Sequence, residues 1–284
     1  MIGVGNMSGA ILARLLQSDA APDQPVRITT RSDASANRYR DNPGISVESL
    51  EENPAANREA CRGANVIVLG VKPQQLNELL TEIAPEIAPG TIVISVAAGV
   101  ETATFESMLP EGVRVVRAMP NTPSTVGLGV TGIAGGASAD EEALAAARTL
   151  FAAVGEVVEV PERDIPAIGA IAGSGPGHVY LLLETMIDAT MRYGFDRQTA
   201  TDMVVQTFDG AIQLAKGEPE TDIETHRRRV MSPQGTTEQS IAVLESADLA
   251  SLFQRAFNAN VRRSGELAAA FAAAQQAEPK VDQP

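Results

Sequence analysis

The chain has no tryptophan, and only three tyrosines and seven phenylalanines stand among its 284 residues. Its core cannot rest on large rings, so Ala, Val, Ile and Leu must fill it, as they do where parallel strands lie between helices. A single cysteine, Cys61, excludes an internal disulfide and a thiolate zinc site. It suits a reducing compartment, and a cytoplasmic location is the expectation. The two histidines, His178 and His226, have no partner at ligand spacing, so no metal site is expected. Basic residues are also scarce: 22 Lys and Arg face 36 Asp and Glu, a net charge of −14. That sign opposes polyphosphate backbones and anionic membrane surfaces, so neither nucleic acid nor membrane is an expected partner. Residues 118–139 and 165–183 lack Asp, Glu, Lys and Arg, but Gly and Pro interrupt both stretches, which argues against a membrane span. The opening Met1-Ile2-Gly3-Val4-Gly5 has none of the basic and apolar character of an export signal.

What is present falls into two halves, and the length suits two domains. In residues 1–160, short β-branched runs alternate with helical stretches, the pattern of an α/β domain whose parallel sheet is covered on both faces. Strands are expected over 26–30, 66–71, 91–96, 113–118, 129–133 and 156–160. Asp140-Glu141-Glu142 opens an Ala-rich helix that runs to Val154 and stops at Gly155, with acids in the first turn and glycine past the end. After Pro161 the strand signals stop. Val179, Leu182, Leu183, Met186, Ile187, Thr190 and Met191 recur at the spacing of one helical face. Residues 161–276 therefore read as helical, and 277–284 as a polar, disordered tail. The helices carry apolar faces wider than one small domain can bury, which points to a second copy of the chain.

Gly3-Val4-Gly5-Asn6-Met7-Ser8 follows the dinucleotide-binding pattern, in which two glycines turn tightly and admit a pyrophosphate onto a helix N-terminus. Ser8 stands where a third Gly or Ala belongs. A helix over 10–16 and the strand over 26–30 complete a βαβ unit of the right scale. An NAD-binding chain carries an acid after that strand, whereas this one has Thr30-Arg31-Ser32. Arg31 and Ser32 suit a 2′-phosphate, so NADPH is expected over NADH. Only Met1 and Ile2 precede the glycine turn, where a strand of about five residues is usual, and a start upstream is the matching expectation.

Five further segments share one register: Val68-Leu69-Gly70-Val71-Lys72-Pro73-Gln74, Ser95-Val96-Ala97-Ala98-Gly99-Val100, Val116-Arg117-Ala118-Met119-Pro120-Asn121-Thr122-Pro123, Gly173-Ser174-Gly175-Pro176 and Ser232-Pro233-Gln234-Gly235-Thr236-Thr237. With the glycine turn, they resemble the pyrroline-5-carboxylate reductases over residues 1–270. The resemblance implies an α/β protein with an N-terminal Rossmann-type domain and an all-helical C-terminal dimerisation domain. Helices interleave in the homodimer, higher oligomers of dimers stay open, and so does a contribution of the second subunit to a site between the domains. The implied activity is NADPH-dependent reduction of 1-pyrroline-5-carboxylate to L-proline, the last step of proline biosynthesis. By the same resemblance the cofactor meets Ile2, Gly3, Val4, Gly5, Asn6 and Met7, Ser32 at the 2′-phosphate, Asn57 near the adenosine ribose, Val71, Lys72 and Pro73, and Ala97, Ala98 and Gly99. The substrate meets Glu162, Gly235, Thr236 and Thr237, with the loop from Ser232 shaping the pocket.

Three departures from the family pattern bear on the substrate. Gln234 replaces the first glycine of the usual Ser-Pro-Gly-Gly-Thr-Thr loop, Gly177-His178 replaces Ala and an aromatic, and Pro166 stands where Asp is usual. A side chain at 234 either narrows the pocket or demands a different backbone angle. Reduction of a related cyclic imino acid, a non-catalytic NADPH-binding role, and a hydroxyacid dehydrogenase using Lys216 are the competing readings.

Imine reduction needs a hydride placed near the carbon, a protonated nitrogen and a holder for the substrate carboxylate. Gly235-Thr236-Thr237 precedes a helical segment, whose N–H groups and dipole suit a carboxylate without an arginine. Thr237 and Glu162 are the candidate catalytic residues. The Thr237 hydroxyl suits a hydrogen bond to the ring nitrogen. Glu162 suits a cationic iminium, with a solvated surface charge as its alternative. No strong general acid is evident, so the imine arrives protonated or takes its proton from water. His178 reads as a packing substitute for an aromatic, or less favourably as a proton donor, and His226 reads as part of a solvated basic stretch.

Overall fold

The computed structural model describes residues 1–277, and the tail expected at 277–284 lies outside them except for Ala277, the last residue of the final helix. The chain divides into two units, one comprising Met1–Ser174 with the segment from Ala259 onward, the other Gly175–Asn258.

In the first unit, β3 (Val66–Leu69), β4 (Ile92–Ser95), β5 (Arg114–Met119), β6 (Gly129–Gly135) and β7 (Gly155–Glu159) form one sheet in that order. A separate parallel pair comprises β1 (Val26–Thr30) and β2 (Ile45–Ser49). β2 is not among the expected strands: its apolar residues Ile45 and Val47 are only half-buried, and Asn42-Pro43-Gly44 before them has the chemistry of a turn. The expected strands are present with ends trimmed or moved by a residue or two. The sheet is parallel except that β6 runs antiparallel to β5, with Val116 opposite Gly135. The connection over residues 120–128 is shorter than the dozen or so residues that a parallel crossover requires.

Residues 1–4 are the seam between the two sheets. Ile2 N–H donates to Val68 O at 2.8 Å and Gly70 N–H to Ile2 O at 2.9 Å, while Val4 N–H donates to Thr29 O at 2.9 Å and Thr29 N–H to Met1 O at 3.0 Å. The short first strand is thus a single bridge, Ile2 to Leu69, bonded on both sides.

Strand alternation sends side chains to opposite faces. Ile67, Leu69, Val93 and Val115 meet Leu76, Leu80 and Ile83 of α4 (Leu76–Ile83) and Phe105 of α5 (Thr102–Met108) on one face. On the other, Val68, Ile94, Val116 and Ile133 meet Ile11 of α1 (Asn6–Leu15) and Ala143, Ala147 and Phe151 of α6 (Glu141–Ala152). Each fully buried Leu, Ile or Phe contributes roughly 1.5–3 kcal/mol. The helix expected from Ala10 starts earlier because Gly5 is its N-cap residue. In α6, the Asp140 carboxylate accepts Ala143 N–H at 2.9 Å, the capping that its position in the sequence announces. Short helices α2 (Asp33–Ala36), α3 (Ala56–Cys61) and α7 (Ile165–Ile168) complete the unit.

The second unit contains α8 (Gly175–Met191), α9 (Arg197–Gly217), α10 (Ile223–Arg229), α11 (Thr236–Glu245) and the start of α12 (Leu249–Ala277). Asp196 and Asp222 cap α9 and α10 by accepting Thr199 N–H at 3.0 Å and Thr225 N–H at 2.7 Å. Of its apolar side chains only Ala200 and Val204 are buried, while Leu181, Tyr193 and Leu214 are 61%, 86% and 68% exposed. Among the described residues no helix is long and apolar enough to cross a membrane.

Glu86, just after α4, receives Arg58 of α3 and Arg62, the residue after that helix, at 2.7 Å each. Hydrogen bonds from Arg62 and Arg58 hold its carboxyl at about 2, below the ordinary 4.5. A depressed carboxyl stabilises the fold fully above its ordinary value and loses that contribution as pH falls towards the folded value. Glu86→Gln is therefore expected to flatten the dependence of Tm on pH between 4.5 and 2, as thermal unfolding across that range would show. An unchanged slope would contradict the link.

Candidate active site

The glycine turn is held by contacts no other residue allows. Gly3 has φ +73°, and a Cβ there would lie 2.4 Å from Val71 Cγ1. Left-handed backbone and close approach both demand glycine. A Cβ on Gly5 would meet no protein atom within 4 Å, and no side chain caps α1. Its first N–H groups and positive dipole end fit a pyrophosphate. Ser8, the departure from the third glycine, is 2% exposed. It is accommodated from across the contact, since a Cβ on Gly70 would lie 2.0 Å from Ser8 Oγ.

Val71, Lys72 and Pro73 leave the carboxyl end of β3, and Ala97, Ala98 and Gly99 leave that of β4, its parallel neighbour. Val96 N–H donates to Leu69 O at 3.1 Å, so the two loops run side by side, next to the 2–7 turn. Loops at the carboxyl ends of parallel strands are where α/β sheets bind ligands. Lys72 and Ala98 are exposed, and Ala97 is buried.

Arg31 follows β1, exposed and without an ion pair among the described residues. Ser32 accepts Ser35 N–H at 3.4 Å as the N-cap of α2. Glu51 accepts Asp33 N–H at 2.9 Å, and the Ser49 hydroxyl donates to Asp33. Two carboxylates thus stand beside the pair expected to take a 2′-phosphate, and Arg38, which donates to Ser35 Oγ at 3.3 Å, adds a second guanidinium there. Asn57 is buried in α3 and donates to Glu82 at 3.2 Å; its side chain is directed to α4.

Glu162 follows β7. Its carboxylate accepts Thr102 N–H at 2.7 Å, the Thr102 hydroxyl at 2.6 Å and Arg117 Nη1–H at 3.2 Å. A cleft of about 260 Å³ beside Ala98 and Gly99 is walled by Arg117, Met119, Pro166 and Ser174. Cys61 is buried, and burial pushes its thiol up to about 11, away from the thiolate form that a nucleophile needs.

In the second unit, Gln234 has φ +61°, so the non-glycine residue is carried by left-handed backbone. Its N–H donates to the Glu238 carboxylate at 2.7 Å. Gly235 is required by close approach, because a Cβ there would lie 2.2 Å from Ser232 Oγ. It is also the N-cap residue of α11, which no side chain caps. Thr236 is exposed and Thr237 half-buried. His178 packs as an aromatic would, its ring centroid 6.1 Å from Phe253 and 5.7 Å from Phe257. His226 is not the solvated residue its basic run suggests, since it is half-buried with Nε2 out of water and unpartnered. The Asp222 cap starts α10 so that His226 lies along an apolar groove with Ile212, Leu214, Ile223 and Val230.

Residues 162–267 match the family model described as pyrroline-5-carboxylate reductase dimerisation, and residues 1–99 match one described as NADP oxidoreductase coenzyme F420-dependent. The chain is 36% identical over 272 residues to a pyrroline-5-carboxylate reductase of Corynebacterium melassecola, covering 94% of this chain and 97% of that one. It is 35% identical over 269 residues to that of Pseudomonas aeruginosa, covering 94% and 95%. Among solved structures, the pyrroline-5-carboxylate reductase of Coxiella burnetii superposes with a TM-score of 0.86 at 36% identity, covering 94% and 96%. The NADP-bound pyrroline carboxylate reductase of Plasmodium falciparum shares the fold, with a TM-score of 0.77 at 24% identity over 94% and 96%.

The packing of Ser8 on Gly70 yields a compensation test. Gly70→Ala should lower Tm by several degrees and weaken cofactor binding, because the new Cβ displaces α1 from the sheet. Ser8→Gly in the same chain should restore most of both, the remainder reflecting Gly3 O, which would lie 3.0 Å from the new Cβ, as thermal unfolding and fluorescence titration with NADPH can establish. Equal losses in the single and double variants would refute the pairing.

Proposed function

Because the chain belongs to the pyrroline-5-carboxylate reductase family, we propose that it reduces 1-pyrroline-5-carboxylate to L-proline with NADPH in preference to NADH. The observation that carries this reading is that each unit contains a glycine-led helix start without a side-chain cap, α1 and α11. Such ends attract anions, and this reaction has two to hold, the cofactor pyrophosphate and the substrate carboxylate.

When bound, NADPH supplies the hydride that the imine carbon takes up. The N–H groups at the start of α1 hold the pyrophosphate, and the loops of Val71–Pro73 and Ala97–Gly99 flank the cofactor along the strand ends. The Arg31 guanidinium and the Ser32 hydroxyl select the 2′-phosphate. At α11, Thr236 and Thr237 N–H groups orient the substrate carboxylate, and the iminium N–H donates to the Thr237 hydroxyl oxygen. None of these groups is a strong acid. The imine is taken up protonated or gains its proton from water, and the protein works by placement.

The same family membership, with the exposed apolar side chains of the second unit, supports a homodimer that is free to join into higher oligomers. A location in the cytoplasm accords with a lone buried thiol and with amino-acid biosynthesis.

The test is NADPH oxidation by the purified protein with the five-membered imine, beside its six-membered homologue. Thr237→Ala removes a hydrogen bond to a charged group, of about 1.5–3 kcal/mol, so kcat/KM should fall roughly ten- to a hundredfold. Arg31→Ala should raise the KM for NADPH and leave that for NADH within about twofold, since only the 2′-phosphate is lost. NADPH binding with no turnover on either ring would overturn the assignment. Faster turnover of the larger ring would move it to the related imino acid.

A further inference from the structure

Glu162 stands on the short turn Glu162–Asp164 that follows β7, yet its three hydrogen bonds reach 60 and 45 residues away in sequence. Two are to Thr102, the first residue of α5. The N-cap residue of that helix, Glu101, makes no side-chain cap, so Glu162 satisfies the orphan N–H of Thr102 and sets a negative charge at the positive end of the helix. The third bond is from Arg117, whose side chain is 6% exposed within β5. A buried guanidinium needs a counter-charge, and Glu162 is the one provided.

The segment between β4 and α5 is residues 96–101, which includes Ala97, Ala98 and Gly99. Its start is fixed by Val96 N–H on Leu69 O at 3.1 Å and Ala97 N–H on Ser95 Oγ at 3.2 Å. Its far end is fixed where Thr102 meets Glu162. Arg117 then ties the carboxylate to the sheet beneath, and Arg117, Ala98 and Gly99 wall the same cleft. We infer that Glu162 is a positioning residue, which with Thr102 and Arg117 holds the 96–101 loop in the shape that receives the cofactor. Direct stabilisation of a cationic substrate is the weaker role: both carboxylate oxygens already hold protein donors, and the adjacent guanidinium cancels most of their field. The inference rests on the assignment of Ala97–Gly99 to the cofactor.

Thr102→Val isolates the clamp, because it deletes the hydroxyl bond and leaves the Glu162–Arg117 pair and the Thr102 N–H bond in place. Thr102→Ser restores the hydroxyl. NADPH dissociation constants are to be measured without substrate, together with Tm, kcat and the KM for the imine at saturating NADPH. Thr102→Val is expected to weaken NADPH binding about tenfold, the scale of a hydrogen bond to a charged group, with the imine KM within about twofold, and Thr102→Ser to recover it. Glu162→Ala, if it folds, should weaken NADPH further. Unchanged NADPH affinity in Thr102→Val overturns the inference, whether Tm falls, which leaves a structural bond only, or the imine KM rises, which places Glu162 on the substrate. NADPH is titrated alone, so failure of the unaltered protein to reduce the imine would sink the functional reading and leave this test standing. Failure to bind NADPH at all would sink both.

Discussion

Four residues of backbone, Met1–Val4, are bonded to β1 on one side and to β3 on the other, and the first unit is arranged about that double pairing. Backbone satisfied on both edges cannot shift register without losing bonds on both. The glycine turn that follows therefore emerges at a fixed height above the sheet. Gly3 lies against the Val71 side chain and Gly70 against that of Ser8, so the helix start, the strand and the neighbouring loop are set by close contact between a glycine on one side and a short side chain on the other. A dinucleotide site needs this order of precision, because its donors are main-chain N–H groups whose aim is the aim of the backbone itself.

Charge makes the same demand from another direction. With a net charge of −14 the chain repels the anions that its proposed reaction requires. At physiological salt, interactions between exposed charges fade over roughly 8 Å, so the distant acids matter less than the groups within contact of the ligand. Helix starts without caps supply those groups and add no mobile cation. The cations near the proposed site are placed individually: Arg31 is exposed at the end of β1 without an ion pair among the described residues, whereas Arg117 is buried and committed to Glu162. The acids show the same division of labour. Asp140 and Asp196 cap helices from the adjacent residue, while Glu162 and Glu86 join elements distant in sequence.

What could be read from the sequence was whatever the local order of residues encodes. β4, with Ile92-Val93-Ile94, and β5, with Val115-Val116, are rich in β-branched residues and were legible; β2, half-exposed, was not. The antiparallel course of β6 follows from the length of one connection, a signal available in the sequence but outweighed by the parallel pattern around it. The loops at 71–73 and 97–99 were legible as motifs, and the structure sets them side by side. Glu162 was legible only as a residue of interest, because what determines its role are partners 45 and 60 positions away. Arg117 did leave a trace: a charge between Val116 and Ala118 in a central strand must have a buried partner, and an acid was the only candidate type. For His178, the aromatic it replaces predicted its neighbours better than its own chemistry did.

The second unit shows how little its helical pattern settles alone. Two buried apolar side chains, Ala200 and Val204, cannot offset the conformational entropy of five helices, which runs to about 1–2 kcal/mol for each ordered residue. Its other apolar faces must find cover in a second copy, as the matched dimerisation family leads one to expect. The loop before α11 adds to the cost, since a non-glycine residue held left-handed costs on the order of 1–3 kcal/mol. The bond from Gln234 N–H to the Glu238 carboxylate offsets part of that and spends an acid in the first turn of the helix proposed to hold a substrate anion. The loop therefore cannot be tuned for binding alone. Its shape is maintained by a local charge that opposes an anion and by a fold whose apolar faces call for a second copy, so under the proposed substrate role affinity and subunit assembly vary together.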